Sequence, residues 1–235
     1  MLSGQGGGLR IGPWQGNRQV AYVVPVNAAS PCSAADVRRA VDLLGTRGYA
    51  SVVTAALAPL DQAAFLTVGF HVRERLHLLA RPLPAAPPPP SGGLELRRAH
   101  HLDRPAVLDL DHRAFEPFWR LDEVGLDDAI AATPSARFRV AVNAKAEVVG
   151  YSVVGRASHR GYVQRLAVAP EHHGRGLGHA LLVDGLRWLE RRRVRTVMVN
   201  TQERNGAALE LYERSGFERQ AGGLAVLALR LRGEP

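Results

Sequence analysis

The 235-residue sequence contains very little cysteine and no long apolar run. Its one cysteine, Cys32, excludes an internal disulfide and a metal site built from several thiolates, and this favours a reducing compartment. No apolar run approaches the roughly 20 residues that cross a bilayer. The Gly-rich first ten residues lack the apolar core of a secretory signal. The sequence therefore predicts a cytoplasmic protein without a membrane partner.

Lysine is equally scarce, because Lys145 is the only lysine among the 30 basic residues. A net charge of +8 is often found in proteins that bind nucleic acid. Here the arginines are scattered through predicted helices and strands, which a coding bias toward Arg, Ala and Pro explains without such a partner. We therefore expect no nucleic-acid partner, while a smaller polyanion remains compatible with so much arginine.

Proline is concentrated in one stretch, residues 82–93, which can form an extended linker but not a central strand or helix. The sequence thus predicts a first domain over residues 1–81, a linker over 82–93 and a second domain over 94–235.

The second domain carries alternating strand and helix patterns that predict a mixed α/β sheet with helices on both faces. The predicted strands are 94–98, 138–142, 148–155, 162–168, 194–200 and 224–231, and the predicted helices are 101–115, 121–131, 174–192 and 205–215.

The first domain repeats part of the second when the chain is shifted by 147 positions. Gly69-Phe70 then falls on Gly216-Phe217, and a predicted helix and strand at 35–44 and 50–54 fall on counterparts at 182–191 and 197–201. The counterpart of Tyr212 is Phe65 and that of Asn205 is Ala58. Positions 26–31, which match 173–178, contain no glycine. The pattern predicts a degenerate copy with a structural role.

The segment 164–182 joins a predicted strand to a predicted helix through a Gly-rich turn, His173-Gly174-Arg175-Gly176-Leu177-Gly178. Unpaired N–H groups at a helix start form an anion site, strengthened by the helix dipole. Taken alone, the pattern also suits a closely packed strand-to-helix turn.

This segment resembles the pyrophosphate-binding motif of the Gcn5-related N-acetyltransferases (GNAT), and residues 205–217 resemble the last conserved block of that family. The resemblance covers residues 94–231 and implies the GNAT fold, preceded by a smaller GNAT-like half-domain. His173 departs from the family, which usually has Gln or Arg there.

The resemblance implies acetyl-CoA as cosubstrate and a primary amine, on a small metabolite or a protein amino terminus, as acceptor. It places the cofactor along the end of one strand, on the Gly-rich turn and at the start of the last helix. The implied cofactor-binding residues are Leu166, Ala167, Val168, His173, Gly174, Arg175, Gly176, Leu177, Gly178, His179 and Asn205. For Asn205 a plain helix cap is an equally good interpretation.

Tyr212 lies two helical turns after Asn205, so the two side chains project from one helix face. The resemblance implies that its phenol protonates the departing thiolate of coenzyme A. An aromatic residue packed between helix and sheet is the alternative.

The general base is not identified by any spacing. Asn200 stands where relatives that acetylate protein amino termini often carry Glu. The remaining candidates are Glu203, acting through a water, and the carboxylates Asp111, Glu116 and Asp122.

Residues 115–120 lie where the family builds its acceptor pocket, although three aromatic rings in six positions are also typical of a core. The side chains of the adjacent pairs His100-His101 and His172-His173 diverge, so no metal site is expected.

A non-catalytic acyl-CoA sensor that contacts a partner protein is the alternative function. A homodimer is left open.

Overall fold

The computed structural model describes residues 8–26, 32–83 and 95–231. Its helices are α1 (Ala34–Thr46), α2 (Pro59–Thr67), α3 (Arg104–Ala114), α4 (Glu123–Ala131), α5 (Leu177–Glu190) and α6 (Gly206–Arg214). Its strands are β1 (Leu9–Trp14), β2 (Asn17–Pro25), β3 (Ser51–Thr54), β4 (His71–Pro82), β5 (Glu95–Arg98), β6 (Ser135–Val142), β7 (Val148–Ala157), β8 (Arg160–Val168), β9 (Thr196–Gln202), β10 (Glu218–Arg219) and β11 (Leu224–Arg230). The predicted mixed sheet is confirmed.

The chain divides into two compact units whose boundaries fall inside β4 and β9. The first unit takes residues up to Leu78, Thr201–Arg204 and the residues from Gln220 onward, and the second takes Leu79–Asn200 and Asn205–Arg219. This division differs from the predicted domains 1–81 and 94–235, because β11 pairs with β3 and the early part of β4. The predicted linker lies outside the described residues from position 84 onward.

The first unit is a sheet in the order β1-β2-β3-β11-β4. β2 and β3 are parallel, and the helix α1 connects them. Ser33 and Asp36 form a capping box at the start of α1, in which Ser33 Oγ accepts from the Asp36 N–H and the Asp36 carboxylate accepts from the Ser33 N–H. The core of this unit includes Cys32, Val37, Leu44, Phe65 and Leu227.

The second unit is a sheet in the order β10-β4-β9-β8-β7-β6-β5. One face packs on α3 and α4 through a cluster around Leu110, Leu126 and Tyr151, and the other packs on α5 through Leu181 and neighbouring residues. α5 lies close to the sheet because two glycines meet large side chains. A Cβ on Gly185 would come within 2.7 Å of Val154, and one on Gly161 within 2.5 Å of Leu189.

The 147-residue shift relates α2 to α6 residue for residue, since Pro59–Thr67 falls on Gly206–Arg214. Both helices end in the same way, with Gly69 and Gly216 at positive φ and with Phe70 and Phe217 donating to the main chain of Phe65 and Tyr212. The two aromatic pairs have centroids 5.3 and 5.7 Å apart. Further upstream the match is offset, because α1 begins four positions after the shifted start of α5. Positions 27–31 lie outside the described residues.

A buried carboxylate holds α3 to the sheet of the second unit. Asp111 is fully buried, and its two oxygens accept four hydrogen bonds. Two come from the Arg165 guanidinium at 2.8 and 2.9 Å, one from the Tyr151 hydroxyl and one from the Leu121 N–H at 2.8 Å. Burial raises the pKa of Tyr151 above its ordinary value, so its phenol remains a donor to Asp111.

We expect Asp111→Ala to lower the free energy of unfolding by about 3 to 5 kcal/mol, because Arg165 would be left buried without its counter-charge. The matched control is Asp109→Ala on the same helix, where an exposed pair with Arg113 joins at 3.4 Å and contributes less than about 1 kcal/mol. Urea unfolding of the three proteins measures the difference. Equal losses for the two variants would contradict this interpretation of the cluster.

Candidate active site

The site begins where β8 and β9 part. The two strands are parallel and pair only from Arg160↔Thr196 to Tyr162↔Met198. On its other side β8 stays paired with β7 as far as Val168, with an irregularity beside Gln164. Among the described residues, the second half of β8 thus has a sheet neighbour on one side only. Its outward main-chain groups lie open to a ligand on the β9 side.

The hydrogen-bond alternation of β8 identifies which residues face that side. Ala169 donates its N–H to Val149 of β7, so Ala167, two positions earlier, also directs its main chain toward β7. Leu166 and Val168 face the opposite way. Of the three β8 residues predicted to bind a cofactor, Leu166 and Val168 therefore face the gap, and Ala167 instead pairs with Tyr151.

The Gly-rich turn after β8 adopts the backbone that its sequence predicts. Gly174 and Gly176 have φ values of +72° and +75°, in the left-handed region that favours glycine. A Cβ at either position would meet no atom within 4 Å. Backbone conformation, and not close packing, therefore requires glycine at these two positions. The turn thus differs from a closely packed strand-to-helix turn, in which a neighbouring atom would exclude the Cβ.

The N–H groups of this turn and of the first turn of α5 are unpaired. Gly176 caps α5 without any side-chain hydrogen bond. Throughout the described part of the chain, the main-chain N–H groups of residues 174 to 179 have no acceptor. The first turn of α5 contains no acidic residue. Together with the helix dipole, this arrangement forms a cradle for an anion.

Two histidines flank the cradle with defined donor roles. His173 Nε2 lies 3.0 Å from the Val168 carbonyl oxygen, and since a carbonyl can only accept, this ring nitrogen carries the proton. His179 Nδ1 lies 3.3 Å from Ser215 Oγ, whose own proton is donated to the Leu211 carbonyl at 2.7 Å. His179 Nδ1 is therefore the donor to Ser215. This contact joins the first turn of α5 to the end of α6.

The charges around the cradle are positive. Arg175 is exposed, and it forms no ion pair with any described residue. The nearest acid in sequence, Glu171, accepts from the Arg113 guanidinium at 2.8 Å. A hydrogen bond to its own main chain and the Arg113 partner lower the pKa of Glu171. Glu171 is thus neutralised by Arg113, while Arg175 is left to pair with a ligand.

Asn205 and Tyr212 lie at the two ends of α6. Asn205 Oδ1 accepts from the Ala208 N–H at 3.1 Å, which caps the helix, and its amide nitrogen has no acceptor among the described residues. A Cβ on Gly178 would lie 3.3 Å from Leu211 and 3.8 Å from both Leu166 and Val168. The start of α5, the end of β8 and α6 therefore meet at Gly178.

Tyr212 is 5% exposed and packs against Phe217. Its hydroxyl has no hydrogen-bond partner among the described residues, yet it is not one of the fully enclosed unpartnered polar atoms. Burial raises the pKa of Tyr212 to about 12, with a small opposing effect from Arg165. The phenol consequently stays protonated at neutral pH and is available as a proton donor.

The predicted acceptor segment, residues 115–120, is fixed by hydrogen bonds. Arg165 Nη2 donates to the Trp119 carbonyl at 2.6 Å, and its guanidinium lies 3.5 Å from the centroid of the Phe115 ring. His112 Nε2 donates to the Leu121 carbonyl at 2.8 Å. Sequence reasoning missed this role of Arg165, because nothing in the spacing of Asp111 and Arg165 indicates that they meet.

The four base candidates occupy different settings. Asp111 has both oxygens occupied by donors, so it has no free lone pair directed at a substrate. Asp122 accepts from the Gly125 N–H and caps α4. Glu116 and Glu203 are exposed, and Glu203 belongs to the first compact unit. Among the described residues, no hydrogen bond or ion pair joins Asp111, Glu116 or Asp122 to residues 174–179.

No group of three or more His, Cys, Asp or Glu side chains among the described residues could hold a metal ion. None of the described helices is long and apolar enough to span a membrane.

Comparison with known proteins agrees with this geometry. Residues 104–217 match the model of the acetyltransferase (GNAT) family. The matched segment contains β8, the Gly-rich turn, α5 and all of α6.

Relatives with similar sequences share one name. The chain is 35% identical over 182 residues to a mycothiol acetyltransferase of Salinispora arenicola, an alignment that covers 68% of this chain and 57% of that protein. It is 33% identical to a mycothiol acetyltransferase of Thermobispora bispora, covering 68% of this chain and 60% of that protein. The chain thus spans less than two thirds of the length of these relatives.

Among solved structures, a tandem GNAT protein from the clavulanic acid biosynthesis pathway superposes with a TM-score of 0.69 at 16% identity, covering 98% of this chain and 80% of that one. At this identity the likeness concerns the fold alone. The family match and the relatives together establish that this chain, with its mixed α/β fold, belongs to the GNAT acetyltransferases, whose cosubstrate is acetyl-CoA.

Proposed function

We propose that the protein transfers an acetyl group from acetyl-CoA to the primary amine of a small thiol metabolite. The observation that carries the proposal is the run of unpaired N–H groups from Gly174 to His179 at the start of α5. The acceptor class rests on the relatives named mycothiol acetyltransferase. A protein amino terminus is the second acceptor class, and nothing in the described residues favours it.

The residues present fit coenzyme A. In this proposal the N–H groups of Gly174, Arg175, Gly176, Leu177, Gly178 and His179 hold the diphosphate, and the Arg175 guanidinium adds a charge-assisted contact. The outward main-chain groups of Leu166 and Val168 pair with the amide-rich arm as an added strand does. His173 already donates to the Val168 carbonyl, so the arm shares this acceptor or displaces the imidazole. Asn205 offers its amide nitrogen from the start of α6.

Tyr212 is proposed as the general acid. The thioester supplies the activated acetyl group, and the neutral amine attacks its carbonyl carbon in a single enzyme-bound complex. As the carbon–sulfur bond breaks, the Tyr212 hydroxyl gives its proton to the departing sulfur. The nitrogen loses its surplus proton to solvent as the amide forms, and the Tyr212 phenolate takes a proton back from solvent. Because its pKa is raised to about 12, the phenol keeps its proton at neutral pH until the carbon–sulfur bond breaks. The only thiol, Cys32, belongs to the core of the first unit, so no covalent acyl-cysteine step is proposed.

For the first unit we propose a degenerate copy of the second half of the catalytic domain. The matching ends of α2 and α6 support a common origin. The start of α1 supports the loss of cofactor binding, because the Ser33–Asp36 capping box occupies N–H groups there and places a carboxylate in the first turn. Phe65 in place of Tyr212 lacks the phenolic proton. We assign this unit a structural role.

The competing function is a non-catalytic acyl-CoA sensor. Asn200 in β9 favours it, because the family resemblance implies that members which acetylate protein amino termini often carry Glu at that position, and Asn cannot act as a base near neutral pH. The partner-contacting role would then fall to the first unit.

A substrate panel distinguishes these possibilities. The purified protein is incubated with acetyl-CoA and either L-cysteine, cysteamine, cysteinylglycine or short peptides, and N-acetyl product is measured by mass spectrometry. We expect product with aminothiols and little with peptides lacking cysteine. Coenzyme A binding without any product would support the sensor, and efficient peptide acetylation would overturn the small-metabolite acceptor.

Gly176→Glu is expected to abolish cofactor binding. The left-handed φ of Gly176 strains any side chain there by about 1 kcal/mol or more, although no atom lies within 4 Å of the added Cβ. A carboxylate beside the cradle repels the diphosphate by several kcal/mol, which corresponds to more than about a hundredfold in Kd. Calorimetric titration with coenzyme A measures the change. The matched control is Gly48→Glu, which places the same side chain at φ +86° after α1 and should leave binding unaltered. Unchanged affinity in Gly176→Glu would move the anion site elsewhere.

Tyr212→Phe should lower kcat by about 10²- to 10⁴-fold, the usual contribution of a general acid, with little change in the Kd of coenzyme A. Because burial raises the Tyr212 pKa to about 12, the wild-type kcat should show no loss from phenol ionisation below pH 11. Phe65→Tyr in the first unit should not restore activity to the variant. A wild-type profile that falls between pH 8 and 10 together with an unimpaired Tyr212→Phe enzyme would remove Tyr212 from this role.

A further inference from the structure

Six arginines that the sequence scatters over two segments gather at one end of the second unit. Arg156 and Arg160 flank the turn between β7 and β8, and four more follow α5 directly. Five of the six are exposed and Arg156 is half-buried. We name this set the arginine patch: Arg156, Arg160, Arg191, Arg192, Arg193 and Arg195.

Main-chain hydrogen bonds hold the two segments together. The Arg195 N–H donates to the His159 carbonyl at 2.8 Å, and Arg160 pairs with Thr196 where β8 and β9 are still adjacent. The sequence distributes these arginines over separate elements, and the pairing of β8 with β9 places the two segments side by side. Parallel pairing of β8 with β9 brings together residues that are more than thirty positions apart.

The positive charge of the patch is not balanced by carboxylates. None of its six side chains forms an ion pair within the described residues. The one acid among the patch segments, Glu190, lies near Arg81 and raises the pKa of that buried guanidinium against the effect of burial. The segments that the structure does not describe contain a single acidic side chain, Glu234. The patch therefore presents six cations, and His159 beside them, to solvent.

Arg193 occupies a costly backbone position. Its φ is +57°, where an L-residue with a side chain is strained by about 1 kcal/mol or more and where glycine is preferred. The turn nevertheless carries arginine. Gln15, Ala146 and Ser158 also have positive φ, so the strain alone assigns no function, but it means that Arg193 can be replaced by glycine without straining the backbone.

Helix termination does not account for the patch. Cations near the last turn of a helix compensate its dipole, but the effect is confined to that turn, and Arg156 and Arg160 lie on a hairpin. The cofactor cradle does not account for it either. The cradle is at the other end of α5, a helix of 14 residues that spans about 20 Å.

We propose that the arginine patch binds the phosphate backbone of a double-stranded nucleic acid without reading bases. Guanidinium groups donate paired hydrogen bonds to phosphate oxygens, and the release of counterions from a duplex makes such contacts more favourable. An acidic protein partner fits less well, because none of the large hydrophobic side chains that are exposed lies in the patch, and the Trp188 ring beneath Arg192 is buried. The same lack of exposed apolar side chains disfavours insertion into a lipid surface.

The salt dependence of duplex binding tests the proposal. The full chain is titrated into a fluorescein-labelled DNA duplex of about 20 base pairs at several KCl concentrations from about 50 to 300 mM. We expect log Kobs to fall with log salt with a slope of about −3 or steeper, corresponding to several released counterions. A duplex of unrelated sequence should bind equally well.

Arg193→Gly is the decisive variant, since it removes one cation and relieves the positive-φ strain. We expect unchanged or higher thermal stability, unchanged coenzyme A affinity, a duplex affinity about fivefold to tenfold lower at 0.1 M salt and a slope shallower by about 1. Replacing Arg160, Arg191 and Arg195 together by Glu should abolish binding. The matched control replaces three exposed arginines of the first unit, Arg18, Arg38 and Arg47, by Glu and produces the same change in net charge.

Several results would overturn the proposal. One is absence of duplex binding at the lowest salt, and another is equal affinity of Arg193→Gly and the wild type. Equal losses in the two triple variants would show that only net charge matters. Tighter binding to vesicles containing about a third phosphatidylserine than to the duplex would assign the patch to a membrane surface.

Discussion

The arrangement of the site depends on main-chain N–H groups that the protein leaves without partners. Burying such groups unpaired is costly, and proteins normally satisfy them with caps or water. Here the turn is exposed, so the cost in the free protein is small, and its two left-handed glycines keep side chains away from the groups. An anion that binds these N–H groups therefore does not have to displace acceptors of the protein itself, and its binding free energy is not reduced by the loss of such hydrogen bonds. That condition leaves the N–H groups at the start of α5 available to an anion.

The other parts of the site follow from how α5 is held. Gly161 and Gly185 allow α5 to approach the sheet, and Gly178 lets Leu211 of α6 reach its first turn. The contact between His179 and Ser215 ties the same two helices together. Among the described residues, β8 pairs with β9 only from Arg160 to Tyr162, so its later part is open on that side. The Gly-rich turn, the end of β8 and Tyr212 thus belong to a single unit.

The features of the site that depend on local sequence pattern were predictable from the sequence. The features that depend on contacts between distant segments were not. The Gly-rich turn, the helices and the positive-φ glycines follow from short spacings, so their positions were readable in the sequence. The predicted helix 174–192 begins three residues early because the turn residues share its composition. The four-donor environment of Asp111, the fixing of residues 115–120 by Arg165 and the gathering of the arginines all join distant segments. No periodicity encodes them, and β11 was assigned to the second domain for the same reason.

The chain contains its own comparison between a helix start that can bind an anion and one that cannot. α1 and α5 both follow a strand and both cross over to a parallel neighbour. At α1 the Ser33 hydroxyl accepts from the Asp36 N–H, and the Asp36 carboxylate accepts from the Ser33 N–H and adds a negative charge, which stabilises the helix by about 1 kcal/mol. At α5 glycine replaces the cap and the first turn contains no acid. Of these two helices, α5 is the one that gives up that stabilisation, and the difference between them measures the helix stability that the uncapped start forgoes.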